Sequence, residues 1–259
     1  MSFKVVIPAR YGSTRLPAKA LLEIAGRPML QWVIDAVLRS RAEEVLVATD
    51  DERVAAVAVD PRAPQRSIAV MTRAEHQSGT DRIAEVAAAR GWDERTIVVN
   101  VQGDEPQLPP QLIDQVAALL ESHVEADIAT LSTPVTALHE LLDPNVVKVV
   151  TSGAGYALYF SRAPIPWHRD GAPQGYASQT SVLGAQRHLG LYAYRVAALR
   201  RMTQIPLSDL ELIEKLEQLR ALQAGMRIVV GVASVVPGAG VDTEQDLARV
   251  RAQLSVTTP

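Results

Sequence analysis

Short apolar runs rich in β-formers alternate along the chain with stretches in which apolar residues recur every three or four positions. That is the pattern of a mostly parallel sheet covered by helices. Val5–Ile7 predicts a first strand, then a loop and a helix near Met29–Ser40. Val45–Thr49 predicts a second strand, closed by Asp50-Asp51 and followed by a helix from about Glu52. Ile68–Met71 reads as a third strand, and Thr80–Arg90 places Ile83, Val86 and Ala87 at helical spacing. Ile97–Val101 is apolar on both faces apart from Asn100, as a central parallel strand should be. Pro109–Ser122 then reads as a helix with proline in its first turn.

The middle third changes character. Val146–Val150, Tyr156–Phe160 and Leu189–Tyr194 are strand-like, with Asp143-Pro144-Asn145 and Ser152-Gly153 as turn signals. Pro164–Gln186 is rich in Gly, Pro, Ser and Gln and has little periodicity, so it is expected to be mobile or functional. Beyond it, Ser208 with Glu211 forms a capping box. It opens a helix striped by Leu212, Leu216 and Leu219, with Gly225 as its C-cap. Ile228–Val232 is a further strand, and a final helix from Thr243 to Leu254 leads into a polar tail. No internal repeat is present. The fold class is α/β: a mostly parallel, Rossmann-like sheet covered by helices, with a smaller strand-rich lobe over about 134–205. Residues 1–254 are read as a single domain and 255–259 as a tail.

Composition narrows the function classes. Hydrophobic residues make up 47% of the chain and no apolar run approaches the ~20 residues that cross a bilayer. Met1 to Arg10 does not read as a signal peptide, because its apolar run is short and meets a proline. The absence of cysteine excludes disulfides, thiolate metal sites and a cysteine nucleophile, and fits a cytoplasmic protein. A net charge of −3 argues against a protein that coats nucleic acid. No membrane partner is expected either.

The first predicted strand runs into Pro8-Ala9-Arg10-Tyr11-Gly12-Ser13-Thr14-Arg15-Leu16-Pro17-Ala18-Lys19. Small residues such as Ala9, Gly12 and Ser13 let backbone N–H groups approach phosphate oxygens. Arg10, Arg15 and Lys19 supply three cations within ten residues, suited to a triphosphate. The string lies where open α/β sheets bind ligands. It is neither the Walker pattern nor the dinucleotide fingerprint.

Four further groups of segments add to it: Met71-Thr72-Arg73-Ala74-Glu75-His76-Gln77-Ser78-Gly79-Thr80-Asp81-Arg82, Asn100-Val101-Gln102-Gly103-Asp104-Glu105-Pro106, Tyr159-Phe160-Ser161-Arg162-Ala163-Pro164-Ile165-Pro166-Trp167, and Arg187-His188-Leu189-Gly190 with Pro237-Gly238-Ala239-Gly240-Val241-Asp242-Thr243. In this order they closely resemble the CMP-KDO synthetase family, the 3-deoxy-manno-octulosonate (KDO) cytidylyltransferases of lipopolysaccharide synthesis. The resemblance runs from about Phe3 to Leu254.

It implies transfer of CMP from CTP to the anomeric hydroxyl of KDO, with pyrophosphate leaving. By resemblance Asp104 and Asp242 hold Mg2+, and Arg15 and Lys19 stabilise the departing charge. Ala9, Arg10, Gly12, Ser13, Thr72, Arg73, His76, Ser78, Gly79, Thr80 and Gln102 would bind the nucleotide. Gln102, Arg162, His188, Tyr192, Glu217 and Gln218 would bind the sugar acid, with an arginine fork on its carboxylate. The family also implies a homodimer. Taken without the resemblance, Asp104 is equally an aspartate in a turn and Asp242 an N-cap. Glu217 and Gln218 then read as a solvated helix face, and His188 as a structural histidine. Asp60–Pro64, His168 and the stretch 171–186 depart from the family pattern. An 8-amino relative of KDO, a sialic acid, or a catalytically silent nucleotide-sensing subunit remain the alternatives.

Overall fold

The computed structural model of the chain describes residues 2–12 and 16–255. Its centre is a nine-stranded sheet: β1 (Phe3–Pro8), β2 (Glu44–Thr49), β3 (Ala69–Met71), β4 (Ile97–Asn100), β5 (Ile128–Pro134), β6 (Lys148–Thr151), β7 (Ala157–Ser161), β8 (Gln186–Arg195) and β9 (Ile228–Val232). Across the sheet the order is β3-β2-β1-β4-β8-β5-β9, with β6 pairing β8 and β7 pairing β6. The β3-β2-β1-β4 run and the β5–β9 pair are parallel, and β8 is antiparallel to β4, β5 and β6.

Alternation along β1 decides which helices cover which face. Val5 and Ile7 pack with helices α1 (Met29–Val37), α2 (Glu52–Val57) and α4 (Pro110–Ser122). Val6 points to the other face, where α3 (Gly79–Ala89) and α5 (Val196–Gln204) lie with Ile83, Val86, Leu199 and Met202. Every side chain of β4 is buried, which explains its continuous apolar reading.

Several elements differ from expectation. β5 and α5 carry no clear sequence signal. In β5 the alternation is broken by Thr130, Ser132 and Thr133, all buried. The strands of the middle third join the same sheet through β8. Beside them a small apolar cluster of Val135, Leu141 and Ala185 packs separately. The helix expected from Ser208 to Gly225 is two: α6 (Asp209–Glu214) and α7 (Gln218–Gln223). Lys215, at φ 55°, is left-handed and stops α6. Ser208 caps as expected by accepting from Glu211 N–H, but the Glu211 carboxylate lies 3.1 Å from Arg220 Nε. Gly225, at φ 75°, closes α7 as expected. Residues 60–64 form a short antiparallel pair, Val59–Asp60 with Ala63–Ser67. The last helix, α8 (Glu244–Ser255), is capped by Thr243, whose hydroxyl accepts from Asp246 N–H, and not by Asp242.

Candidate active site

Strands β1 to β4 are parallel, so their carboxyl ends meet along one edge, and there the chain opens a cleft of about 280 Å³. Four segments line it: Pro8–Arg10 at the end of β1, Lys19–Ala20 further along the same string, the 76–82 segment entering α3, and Gln102–Asp104 after β4, with Asp242 closing one side. α3 begins in a complete capping box: Asp81 N–H donates to Ser78 Oγ and Ser78 N–H to the Asp81 carboxylate. Close approach is built in at Gly79, where a Cβ would stand 3.2 Å from the Pro8 ring.

At the heart of the cleft Lys19 Nζ lies 2.5 Å from Asp104 Oδ2 and 2.9 Å from Asp242 Oδ1. Burial opposes the charge on Lys19, but Asp104 and then Asp242 outweigh it and raise its pKa above the ordinary value. The two carboxylates thus share one cation supplied by the chain. No group of three or more His, Asp or Glu side chains able to hold a metal gathers among the described residues. A divalent ion here would rely on two carboxylates plus phosphate and water oxygens, the set magnesium takes in nucleotide sites. The donor set fits that ion.

A second cavity of about 70 Å³ adjoins the first, since Gln102 lines both. Glu105, Arg187, His188, Gly190, Gly238 and Gly240 are among its walls. Burial, then the neighbouring Asp104 and Asp242 carboxylates, push the Glu105 carboxyl up to about 8 against the opposing charges of Arg187 and Lys19. Burial alone pushes His188 down to about 3, so its ring is neutral. Its Nε2 is 3.0 Å from Thr130 Oγ1, which itself lies 2.9 Å from the Leu191 carbonyl and 3.1 Å from that of Leu189. The Thr130 hydroxyl thus ties the His188 ring to the two β8 carbonyls, and the ring's tautomer decides which of the two groups donates across the Nε2 contact. Two extra residues of β8 bulge between Leu189 and Tyr192, where the register against β5 shifts. A straight strand would hold side chains four apart at about 13 Å; the rings of His188 and Tyr192 are 5.3 Å apart. The Tyr192 hydroxyl is buried and has no hydrogen-bond partner among the described residues.

The expected site residues divide. Ala9, Arg10, Lys19, His76, Ser78, Gly79, Gln102, Asp104 and Asp242 line the cleft. Ser13, Thr14 and Arg15 lie outside the described residues. Gly12 does not line either cavity. Thr72 is buried and donates to the Thr49 carbonyl at 3.1 Å, while exposed Arg73 turns to Glu85. Thr80 is buried and donates to Glu217 Oε2 at 3.0 Å. The other Glu217 oxygen accepts from Arg220 at 3.0 Å, and Gln218 is buried. Arg162 is fixed by carbonyls, through Nε to Glu214 at 2.7 Å and Nη1 to Pro144 at 2.8 Å. Sequence reasoning missed Arg82, which lines the cleft while bonded to Asp50 at 3.0 Å and to Thr72. Its position one turn after Ser78 was the available signal. Glu105 and Arg187 were missed as well, although both stand inside the segments that carry the resemblance.

The whole chain is similar to known cytidylyltransferases. A cytidylyltransferase family model matches residues 4–228. The 3-deoxy-manno-octulosonate cytidylyltransferase of Thioalkalivibrio sulfidiphilus is 54% identical over 250 residues, 96% of this chain and 98% of that one. The Nitrosococcus oceani protein of the same name is 54% identical over 259 residues, covering 99% and 98%. A solved CMP:2-keto-3-deoxy-manno-octonic acid synthetase in complex with CTP superposes with a TM-score of 0.86 at 38% identity, covering 99% of each chain.

Proposed function

The chain belongs to the 3-deoxy-manno-octulosonate cytidylyltransferase family, and from that premise we propose how its residues divide the work. It transfers CMP from CTP to KDO and releases pyrophosphate. An anomeric oxygen–phosphorus bond forms at the α-phosphate, and the bond to the departing pyrophosphate breaks. Such a transfer calls for alignment and charge neutralisation more than for covalent help.

The observation that carries the assignment is the Lys19 ammonium held between Asp104 and Asp242 in the cleft. Those carboxylates are the pair that would hold magnesium, which when bound supplies charge neutralisation beside the α-phosphate. Lys19 competes for the same oxygens. Once the carboxylates have another partner, its ammonium is available to phosphate oxygens. Arg10 faces the same cleft and adds a second cation, and the α3 N-terminus offers its N–H groups to the nucleotide. Gln102, shared by both cavities, sits where nucleotide and sugar acid must meet. The neutral His188 ring, whose Nδ1 can donate or accept according to tautomer, and the unpartnered Tyr192 hydroxyl suit the sugar's hydroxyl groups. Arg162 keeps three N–H groups beyond the two that bond carbonyls, enough for a carboxylate.

We place the product in lipopolysaccharide synthesis, in the cytoplasm, and the enzyme as a homodimer. No helix of the described residues is long and apolar enough to cross a membrane. The test is pyrophosphate release in a matrix of nucleotides and acidic sugars. CTP with KDO should exceed ATP or GTP with KDO by roughly tenfold or more. It should also exceed CTP with 8-amino-KDO or a sialic acid. Equal rates across the nucleotides would refute the cytidine reading, and a preference for another sugar would move the acceptor assignment.

A further inference from the structure

The turn that carries Asp104 and the loop that carries Asp242 meet backbone to backbone. Val241 N–H donates to the Asp104 carbonyl at 2.9 Å. Behind that bond stand two glycines on which an added Cβ would meet a neighbouring side chain. A Cβ on Gly240 would come 2.8 Å from Glu105 Oε1 and 3.1 Å from its Cδ. A Cβ on Gly238 would come 2.8 Å from both Cβ and Oε1 of Gln107. Neither glycine lies in the left-handed region that Gly155, Gly175 and Gly225 occupy, so backbone conformation does not require glycine at 238 or 240. Space does at Gly238. The Gly240 contact is with the end of a flexible side chain, which can swing aside. At Gly238 the contact includes a Cβ, which moves only with its backbone.

On the far side of Asp242 the loop is equally fixed. Val241 is fully buried with Met29, Leu247 and Val250. Asp242 N–H and Thr243 N–H both donate to Asp246, at 3.2 and 2.9 Å. Asp242 therefore has little freedom of its own, and its distance from Asp104 follows from how closely the 237–241 backbone lies on the 104–107 turn.

We infer that Gly238 is a positioning residue for the cation site: its bare backbone lets the two carboxylate-bearing loops close to the separation that a single divalent ion can bridge. This rests on the reading of Asp104 and Asp242 as its ligands, and the experiment separates the two ideas. Mn2+ binding is followed by electron paramagnetic resonance in the presence of CTP, so that the readout is independent of turnover. The variants are Asp104→Asn, Asp242→Asn, Gly238→Ala, Gln107→Gly and the double variant Gln107→Gly/Gly238→Ala, each checked for folding by circular dichroism.

Gly238→Ala should weaken Mn2+ binding by roughly 10-fold or more, the range seen when groups that orient metal ligands are altered. In the Gln107→Gly background, where the obstructing Cβ is gone, the same change should cost less than about threefold. A Gly238→Ala protein that cannot fold, beside a double variant that folds and binds Mn2+, is the same result in stronger form. Equal losses in both backgrounds, or failure of both to fold, would overturn the inference. So would normal binding by Gly238→Ala while the Asn variants lose the ion. If the Asn variants themselves bind Mn2+ normally, the ligand assignment is what fails.

Discussion

Exchanging either carboxylate around Lys19 for its amide, as Asp104→Asn or Asp242→Asn, keeps the side chain's shape and removes one charge. If the pair holds the cation, turnover should fall about a thousandfold at saturating magnesium. Calorimetric CTP binding should persist through Arg10 and the α3 N-terminus. Near-normal turnover in both variants would return Asp104 to the role of a turn residue. His188 allows a prediction of a different kind. Folding lowers its pKa to about 3, whereas an unfolded histidine takes up its proton near the ordinary value of 6.5. The contribution is therefore fully present above pH 6.5 and is lost as pH falls toward 3. Its slope is at most about 1.4 kcal/mol per pH unit, less in proportion as water reaches the partly covered ring. Urea unfolding at pH 7 and pH 5 should show His188→Gln losing less stability than the parent between the two. Equal losses would mean that the ring is solvated. The first cations of the site were legible because Arg10 and Lys19 stand in one dense string. The pairing of Lys19 with both aspartates was not, because it depends on two loops meeting.

At the scale of elements, one buried lysine ties the middle third together. Lys148, at the start of β6, is completely covered, and its Nζ donates to the carbonyls of Asp143, Val146 and Arg162 at 2.9, 2.6 and 2.6 Å. Burial lowers its pKa against the opposing charges of Asp143 and Glu214, and the three carbonyls supply the hydrogen-bond partners that a covered ammonium needs. Lys148→Met would leave those acceptors without their donor and should cost about 3 kcal/mol or more. Because one of them belongs to Arg162, KM for the sugar acid should rise while CTP affinity holds. An unchanged KM with lowered thermal stability would confine Lys148 to a purely structural part. Elements with clean periodicity, β1, β2, β4, α3 and α4, could be read directly. β5 could not, because Thr130 spends its hydroxyl on β8 carbonyls and so is polar yet buried. The break between α6 and α7 was equally hidden: a left-handed residue is expected to be glycine, and at this break it is Lys215.

Over the whole molecule, β8 joins the parallel half of the sheet to the remainder, so cleft and second cavity share one framework. The α/β class and the parallel half of the sheet followed from the alternation of strands and helices. The membership of the middle-third strands in the same sheet did not, because pairing partners far apart leave no local pattern. Several large apolar side chains on this part of the chain face solvent, among them Leu158, Tyr176 and Leu183. Covering them is the physical case for the proposed homodimer. Light scattering at micromolar concentration should give twice the 28.0 kDa chain mass, and a clean monomer would refute it. The bulge in β8 carries one more implication, about chain length. Loops on the surface gain and lose residues with little effect, and the 171–185 stretch has that latitude. Between His188 and Tyr192 it does not exist. Removing Gly190 alone would change the parity of the strand and send one of the two rings to the opposite face of the sheet. Proteins that use this ring pair for the same sugar acid are therefore expected to keep three residues between them, whatever those residues are.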